Sequence, residues 1–262
     1  LLHALTEADS IATGPAAWSS WKAGLVEDLS NRTISYLKGG AGSIIERTFP
    51  TPDQLQMMRR GMIRVEGDAD RLTIMEIDKP AVFGRVAGAL SLCGLDVLEA
   101  IAHTEYGMVL AMFRVAPNTT KDIDWNSVCA FVQDSVRGRV AIAARLAERM
   151  QTYSQQISQQ FPDRVVDTDV KIDNETSSTA TVIEVSAPNG MGLLYQITRA
   201  LGSLDLNILS AKVQTLGSDV VDSFYVLDND GKKIDDQVHA DEVKQALKHA
   251  IESSTVMTGI GT

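Results

Sequence analysis

A chain of 262 residues, 44% of them hydrophobic, is long enough for two domains with real cores, and no stretch approaches the ~18 apolar residues of a membrane span. Its net charge of −10 is concentrated late: residues 161–262 carry 8 Lys plus Arg against 16 Asp plus Glu. A nucleic-acid binder needs a basic face for phosphates, so that class of partner is disfavoured.

The chain begins at Leu1 without methionine and already in a helical pattern (Leu2, Leu5, Ala8), which suggests a piece cut from a longer polypeptide. Residues 1–38 read as a helical segment broken at Gly14-Pro15, with Trp18 and Trp21 as anchors and a second helix over Ala23 to Tyr36. Residues 39–68 are expected to be a linker, because Gly39, Gly40, Gly42, Pro50 and Pro52 punctuate their first half.

From there the sequence repeats itself. Sliding it by 111 residues pairs Asp78 to Val115 with Asn189 to Val226 without a gap, and nine positions are identical, among them Leu98/Leu209, Ala100/Ala211 and Phe113/Phe224. One supersecondary unit has been duplicated. Each copy opens with a short β-branched run (Leu72 to Ile77; Thr181 to Val185), expected to be a strand, and then a turn. In copy two that turn is Pro188-Asn189-Gly190-Met191-Gly192, whose glycines supply positive φ. A helix follows, with an apolar stripe at Leu193, Leu194, Ile197, Ala200, Leu201 and Leu204 in copy two and at Val82, Phe83, Val86, Ala89, Leu90 and Cys93 in copy one. Next comes a hairpin, ending at Val115 or Leu227, and a second helix marked by Val128, Val132 and Val136 or by Val243, Leu247 and Ile251.

The order β-α-β-β-α predicts an α+β fold of two ferredoxin-like βαββαβ domains preceded by a short helical segment. Val165 to Ile172 is the expected closing strand of copy one, placing the domains at 69–173 and 174–262; a closing strand for copy two within Thr255 to Thr262 is not expected. Arg139 to Gln160 reads as a helix inserted in the first domain, with no packing partner that the pattern identifies. Cys93 and Cys129 fall on apolar helix faces and read as buried thiols in a reducing cytoplasm. His3, His103, His239 and His249 have no ligand-like spacing, and Lys232-Lys233 reads as a solvated turn.

Leu5 to Leu29, containing ATGPAAW, resembles the end of the HD phosphohydrolase domain of the bifunctional uridylyltransferase and uridylyl-removing enzymes that modify the PII signal protein. Asp78 to Ala100 and Ala187 to Val226 resemble the two ACT domains that follow in that family, and FYVLDNDGKKI (Phe224 to Ile234) is the most specific part of the match. The resemblance implies nucleotidyltransferase and metal-binding HD domains upstream. It also implies an ACT pair that senses glutamine and switches the enzyme between adding and removing a nucleotidyl group. Catalytic residues would then lie outside this chain, as would the parent's divalent metal (Mg or Mn) and nucleoside triphosphate. Pairing of ACT units could occur within one chain or in a homodimer. Asp9 sits where the HD domain places its last metal-ligating aspartate, which is a metal site only with further upstream ligands.

Read physically, a glycine-bearing turn at a helix N-terminus offers N–H donors and a favourable dipole to a carboxylate. Asn189, Gly190, Met191, Gly192 and Leu193 form that turn in copy two. Asn189 and the strand start Asn207-Ile208 could serve the remainder of an amino acid. Because ACT effectors sit between such a turn and the strand start of a neighbouring copy, Asp78, Asp96 and Val97 are carried over by the resemblance. The family's Asp-Arg-Pro-Gly turn is incomplete in both copies, as Asn189-Gly190-Met191-Gly192 and as Asp78-Lys79-Pro80-Ala81, so unequal affinity at the two is expected. The alternative functions are an ACT tandem regulating an amino-acid biosynthetic enzyme, or turns that merely connect strand to helix.

Overall fold

A computed structural model describes residues 49–79, 81–118, 120, 122–157, 168–188, 190–216 and 219–256. The chain divides into compact units at Leu1–Pro52 and Asp53–Thr262. The helical segment and HD-like residues of the first unit, Asp9 included, lie outside the described residues.

The described elements are α1 (Pro52–Arg59), which opens the second unit from its second residue on, β1 (Arg64–Asp68), β2 (Arg71–Ile77), α2 (Val82–Leu92), β3 (Leu95–Glu105), β4 (Met108–Pro117), α3 (Trp125–Val136) and α4 (Ile142–Ile157). The chain continues with β5 (Asp169–Asp173), β6 (Thr181–Pro188), α5 (Leu193–Ser203), β7 (Asn207–Leu216), β8 (Asp219–Leu227) and α6 (Gln237–Val256). All eight strands join one sheet in the order β1-β2-β4-β3-β7-β8-β6-β5, every pairing antiparallel.

The repeat explains the order. β3 and β7 are the same strand of the two copies, and they pair with Ala100 opposite Ala211, its own mate at the 111-residue spacing. Glu99 faces Lys212 and Ile101 faces Ser210, so a pseudo-twofold axis passes through the alanine pair. The register shift between Val97 and Glu99 recurs between Ile208 and Ser210, so the repeated Leu98/Leu209 position is a β-bulge in both copies. Inward residues of both halves, including Leu72, Leu90, Phe113, Ile197, Leu201 and Phe224, are fully buried in one continuous core. The ferredoxin-like α+β expectation holds.

Two expectations are corrected. Residues 39–68 are not all linker, since α1 and β1 occupy 52–59 and 64–68. Trp125 is what holds β1 in place: its ring lies so close over Gly67 that a Cβ there would fall 1.9 Å from it, and its Nε1 donates to the Ala69 carbonyl at 3.2 Å. The strand expected to close copy one is β5, and it pairs with β6 of copy two. In each half the outer strand therefore comes from before the βαββα unit, as β1 or β5, and copy two includes β5 from Asp169 rather than starting at 174. Antiparallel pairing lets an edge strand join from either chain direction, and the short turn from β5 to β6 is entropically cheaper than a return across the sheet.

The inserted helix α4 now has its partners. Ile142 and Leu146 are buried with Leu92 of α2, and Arg149 donates to the Leu92 carbonyl at the end of that helix, where a cation suits the dipole. Leu146 also covers the copy-two turn, lying 3.2 Å from where a Cβ on Gly192 would be. Copy one thus reaches over to brace copy two.

The FYVLDNDGKKI stretch is a stitched loop. Asp228 Oδ1 accepts from the backbone N–H groups of Asp230 and Lys232 at 2.9 and 2.8 Å. Lys233 does not point into solvent as a turn lysine would: it donates to the Asn174 and Ser177 carbonyls, while Ile234 N–H donates to Thr181 Oγ1 at 2.8 Å. Lys232 alone is solvated, its side chain 74% exposed.

The helix ends carry testable strain. Position 81/192 is left-handed in both copies, as Ala81 (φ 70°) and as Gly192 (φ 77°). An alanine pays about 1–2 kcal/mol there and glycine almost nothing. Ala81 is exposed, so Ala81→Gly is expected to raise stability by about 1 kcal/mol in a denaturant melt, whereas Gly67→Ala, forced into the Trp125 ring, should lower it by roughly 2 kcal/mol.

Candidate ligand-binding site

The turn before the second repeated helix lies against the start of the first copy's central strand. At the turn of copy two this leaves a cleft of about 250 Å³. That is below the ~300 Å³ at which sites for drug-sized molecules begin, and it suits a small metabolite. One wall is Gly190 to Tyr195, the turn and first residues of α5; the opposite wall is Leu95 to Leu98 at the bulged start of β3, with Ala87 and Ser91 of α2 and Asn118 after β4. Val213, Val220 and Asp222 of β7 and β8 form its base.

Each part follows from local chemistry. Gly192 takes the left-handed conformation at the N-cap of α5 with no side chain bonded across the cap, and the turn closes through Leu193 N–H to the Gly190 carbonyl at 3.2 Å. An uncapped helix N-terminus with its dipole directed outward suits an anionic group. On the facing wall Asn118 N–H donates to the Gly94 carbonyl at 3.0 Å, which holds it beside the β3 start. Asp96 stands at the rim, and partial burial raises its carboxyl above the ordinary range.

Of the ten residues expected from sequence, the cleft unites six: Gly190, Met191, Gly192 and Leu193 from copy two with Asp96 and Val97 from copy one. Asn189 lies outside the described residues. Asp78, Asn207 and Ile208 are not in its lining. They occupy the repeat positions of Asn189, Asp96 and Val97 and so belong to the pseudo-symmetric half. There Asp78 N–H donates to the Gly107 carbonyl at 2.9 Å, and Asn207 Nδ2 donates to the Asp228 carbonyl at 3.2 Å.

Sequence reasoning missed Asp222. It is 1% exposed, on the inward face of β8 between Val220 and Phe224, with Val185 and Val213 beside it on the neighbouring strands. Its Oδ1 has no hydrogen-bond partner, and desolvation pushes the carboxyl up to about 8. The signal was available in the repeat, because the position 111 residues earlier is Ala111, a buried alanine. An acid on the inward beat of an otherwise apolar strand is a departure from the period-2 pattern.

Among the described residues no group of three or more His, Cys, Asp or Glu could hold a metal ion, and no helix is long and apolar enough to cross a membrane. Cys93 and Cys129 are free thiols, both raised by burial.

Comparison with known proteins adds the family context. The model of an ACR9-like, ACT-like domain matches residues 169–258, beginning with β5 as the structure does. The bifunctional uridylyltransferase/uridylyl-removing enzyme of Cereibacter sphaeroides is 28% identical over 96% of this chain and 32% of its own length. The enzyme of the same name from Streptomyces coelicolor is 32% identical over 88% and 33%. The chain thus spans about a third of the length of the curated relatives it matches. A solved structure titled putative glycine cleavage system transcriptional repressor covers 70% of this chain and 91% of its own at 13% identity, with a TM-score of 0.24, too low to carry an argument.

The buried carboxyl makes a pH prediction. In the unfolded chain Asp222 titrates near ~3.9, and in the fold near 8, so the native state binds the extra proton between those values. Stability is then greatest at the acid end of that window and falls as pH rises toward 8. Asp222→Asn removes the titration. Its melting temperature is expected to differ least from the parent's at or below pH ~4 and to exceed it increasingly as pH rises to 8.

Proposed function

We propose, for a chain homologous to the C-terminal region of the bifunctional uridylyltransferase/uridylyl-removing enzymes, that this is the amino-acid-sensing tandem ACT region of such an enzyme and that its ligand is glutamine. The observation that carries the reading is the composite cleft. Its walls come from different repeats, so a molecule filling it bears on how the two repeats sit against each other. The helix N-terminus suits the carboxylate, and Asn118 and Ser91 offer the paired donors and acceptors an amide side chain needs.

As mechanism, glutamine bound in the cleft favours one arrangement of the repeats and biases the parent between adding and removing a nucleotidyl group on the PII protein. A ligand shifts such a balance only by its difference in affinity for the two states, typically about 1–3 kcal/mol. In this proposal the chain itself carries no chemistry. The nucleoside triphosphate and a divalent Mg or Mn ion are handled by domains of the cytoplasmic parent, and Asp9 completes a metal site only with ligands there. Pairing of ACT units is met inside the chain by β3 and β7, and homodimerisation would extend it.

Calorimetric titration with glutamine, glutamate, asparagine and branched-chain amino acids tests the reading. Saturable binding selective for glutamine is expected, weakened about tenfold, or roughly 1.4 kcal/mol, by Asn189→Ala or Asp96→Ala. Selective binding of a different amino acid would instead favour an ACT tandem serving a biosynthetic enzyme.

A further inference from the structure

The cleft has an electrostatic imbalance that the family context does not address. Among its described lining residues are two acids, Asp96 and Asp222, and no Lys, Arg or His. Asp222 is fully buried with an unpartnered Oδ1, a costly arrangement that persists in a fold when something offsets it. Among the described residues no cation lines the cleft beside it. Its neighbours in the sheet are Val185 and Val213, while Glu184 of β6 and Lys212 of β7 fall one residue out of phase, on the opposite sheet face. Tyr195 of α5 is the remaining titratable group in the lining. Only a cation brought by a ligand would let Asp222 ionise in this lining.

We propose that Asp222 is the ammonium-binding residue of the cleft, which takes one free α-amino acid per chain through its ammonium group at β8 and its carboxylate at the start of α5. The proposal rests on the amino-acid-sensing reading and adds the residue, the polarity of the ligand and the stoichiometry. The stoichiometry follows from the broken symmetry: copy one has Ala111 where copy two has Asp222, so the pseudo-symmetric half lacks the acid. Binding also moves a proton. The empty site holds Asp222 protonated at neutral pH, and the arriving ammonium ion displaces that proton to solvent, leaving an ammonium–carboxylate pair. Apparent affinity should therefore rise about tenfold per pH unit between pH 6 and 7.5, with close to one proton released per ligand.

The test is calorimetric titration of the full chain and of Asp222→Asn with glutamine, other amino acids and 4-carbamoylbutanoate, which is glutamine without its amino group. Buffers of different ionisation enthalpy report proton release. The asparagine variant is isosteric, and its thermal melt verifies folding independently. Expected is one glutamine per chain, a loss of tenfold or more and up to roughly a hundredfold in Asp222→Asn, and equally poor binding of the desamino analogue to the parent chain. A loss below tenfold in the variant, or parent-like affinity for the desamino analogue, overturns the role of Asp222 while leaving the sensing reading intact. If glutamine fails but another amino acid binds with the same dependence on Asp222, the role stands and the glutamine reading falls. Silence toward every amino acid at millimolar concentration overturns both.

Discussion

The pairing of β3 with β7 is the constraint on which the rest depends. Three residue pairs centred on Ala100 and Ala211 turn two small sheets into one of eight strands, and because each alanine faces its own repeat-mate the two halves are locked into near-twofold symmetry. The axis runs between small buried side chains, which lets the helices above approach closely. A Cβ added to Gly84 would sit 3.1 Å from Thr198, and one added to Gly88 would sit 2.8 Å from Tyr195. Core and cleft both follow: the apolar faces of α2 and α5 share one interior, and the copy-two turn is delivered to the start of the copy-one strand β3.

The candidate cleft lies where that symmetry fails. The left-handed position at the helix N-cap is alanine in one copy and glycine in the other, and the inward site on the inner hairpin is Ala111 in one and Asp222 in the other. Among the described residues α4 follows copy one and covers the copy-two turn through Leu146. The duplicated scaffold keeps the packing of both halves while the polar lining differs between them. The buried carboxyl has a cost, since an acid that must be protonated to remain inside weakens the fold as pH rises. A ligand ammonium would cancel that cost, so occupancy and stability are coupled at the same group.

The candidate site was legible in proportion to how local its signals are. Gly190 to Leu193 stood out because a turn with positive φ before a helix is written in adjacent residues, and Asp96 and Val97 followed from the family's arrangement. Asp222 did not stand out. One acid among many in an acidic half is unremarkable until its face is known, although comparison with Ala111 held the clue. Lys233 shows the same limit from the other side. Beside Lys232 in a glycine turn it reads as solvated, yet a loop 56 to 59 residues earlier supplies the carbonyls that take its donors.

By itself the sequence determined the repeat, its strands and helices, the faces they bury and the α+β class, because periods of 2 and 3.6 residues and turn residues act over short range. Only the tertiary structure decided which strands close each sheet, since β1 and β5 can pair at an edge whatever their place in the chain. It also decided what α4 packs against, and that the copy-two turn meets the start of β3. The packing of α4 and the make-up of the cleft depend on contacts between residues far apart in the chain, as when Arg149 reaches Leu92 or Asp96 and Asp222 meet in one cleft, and no local periodicity encodes such a meeting.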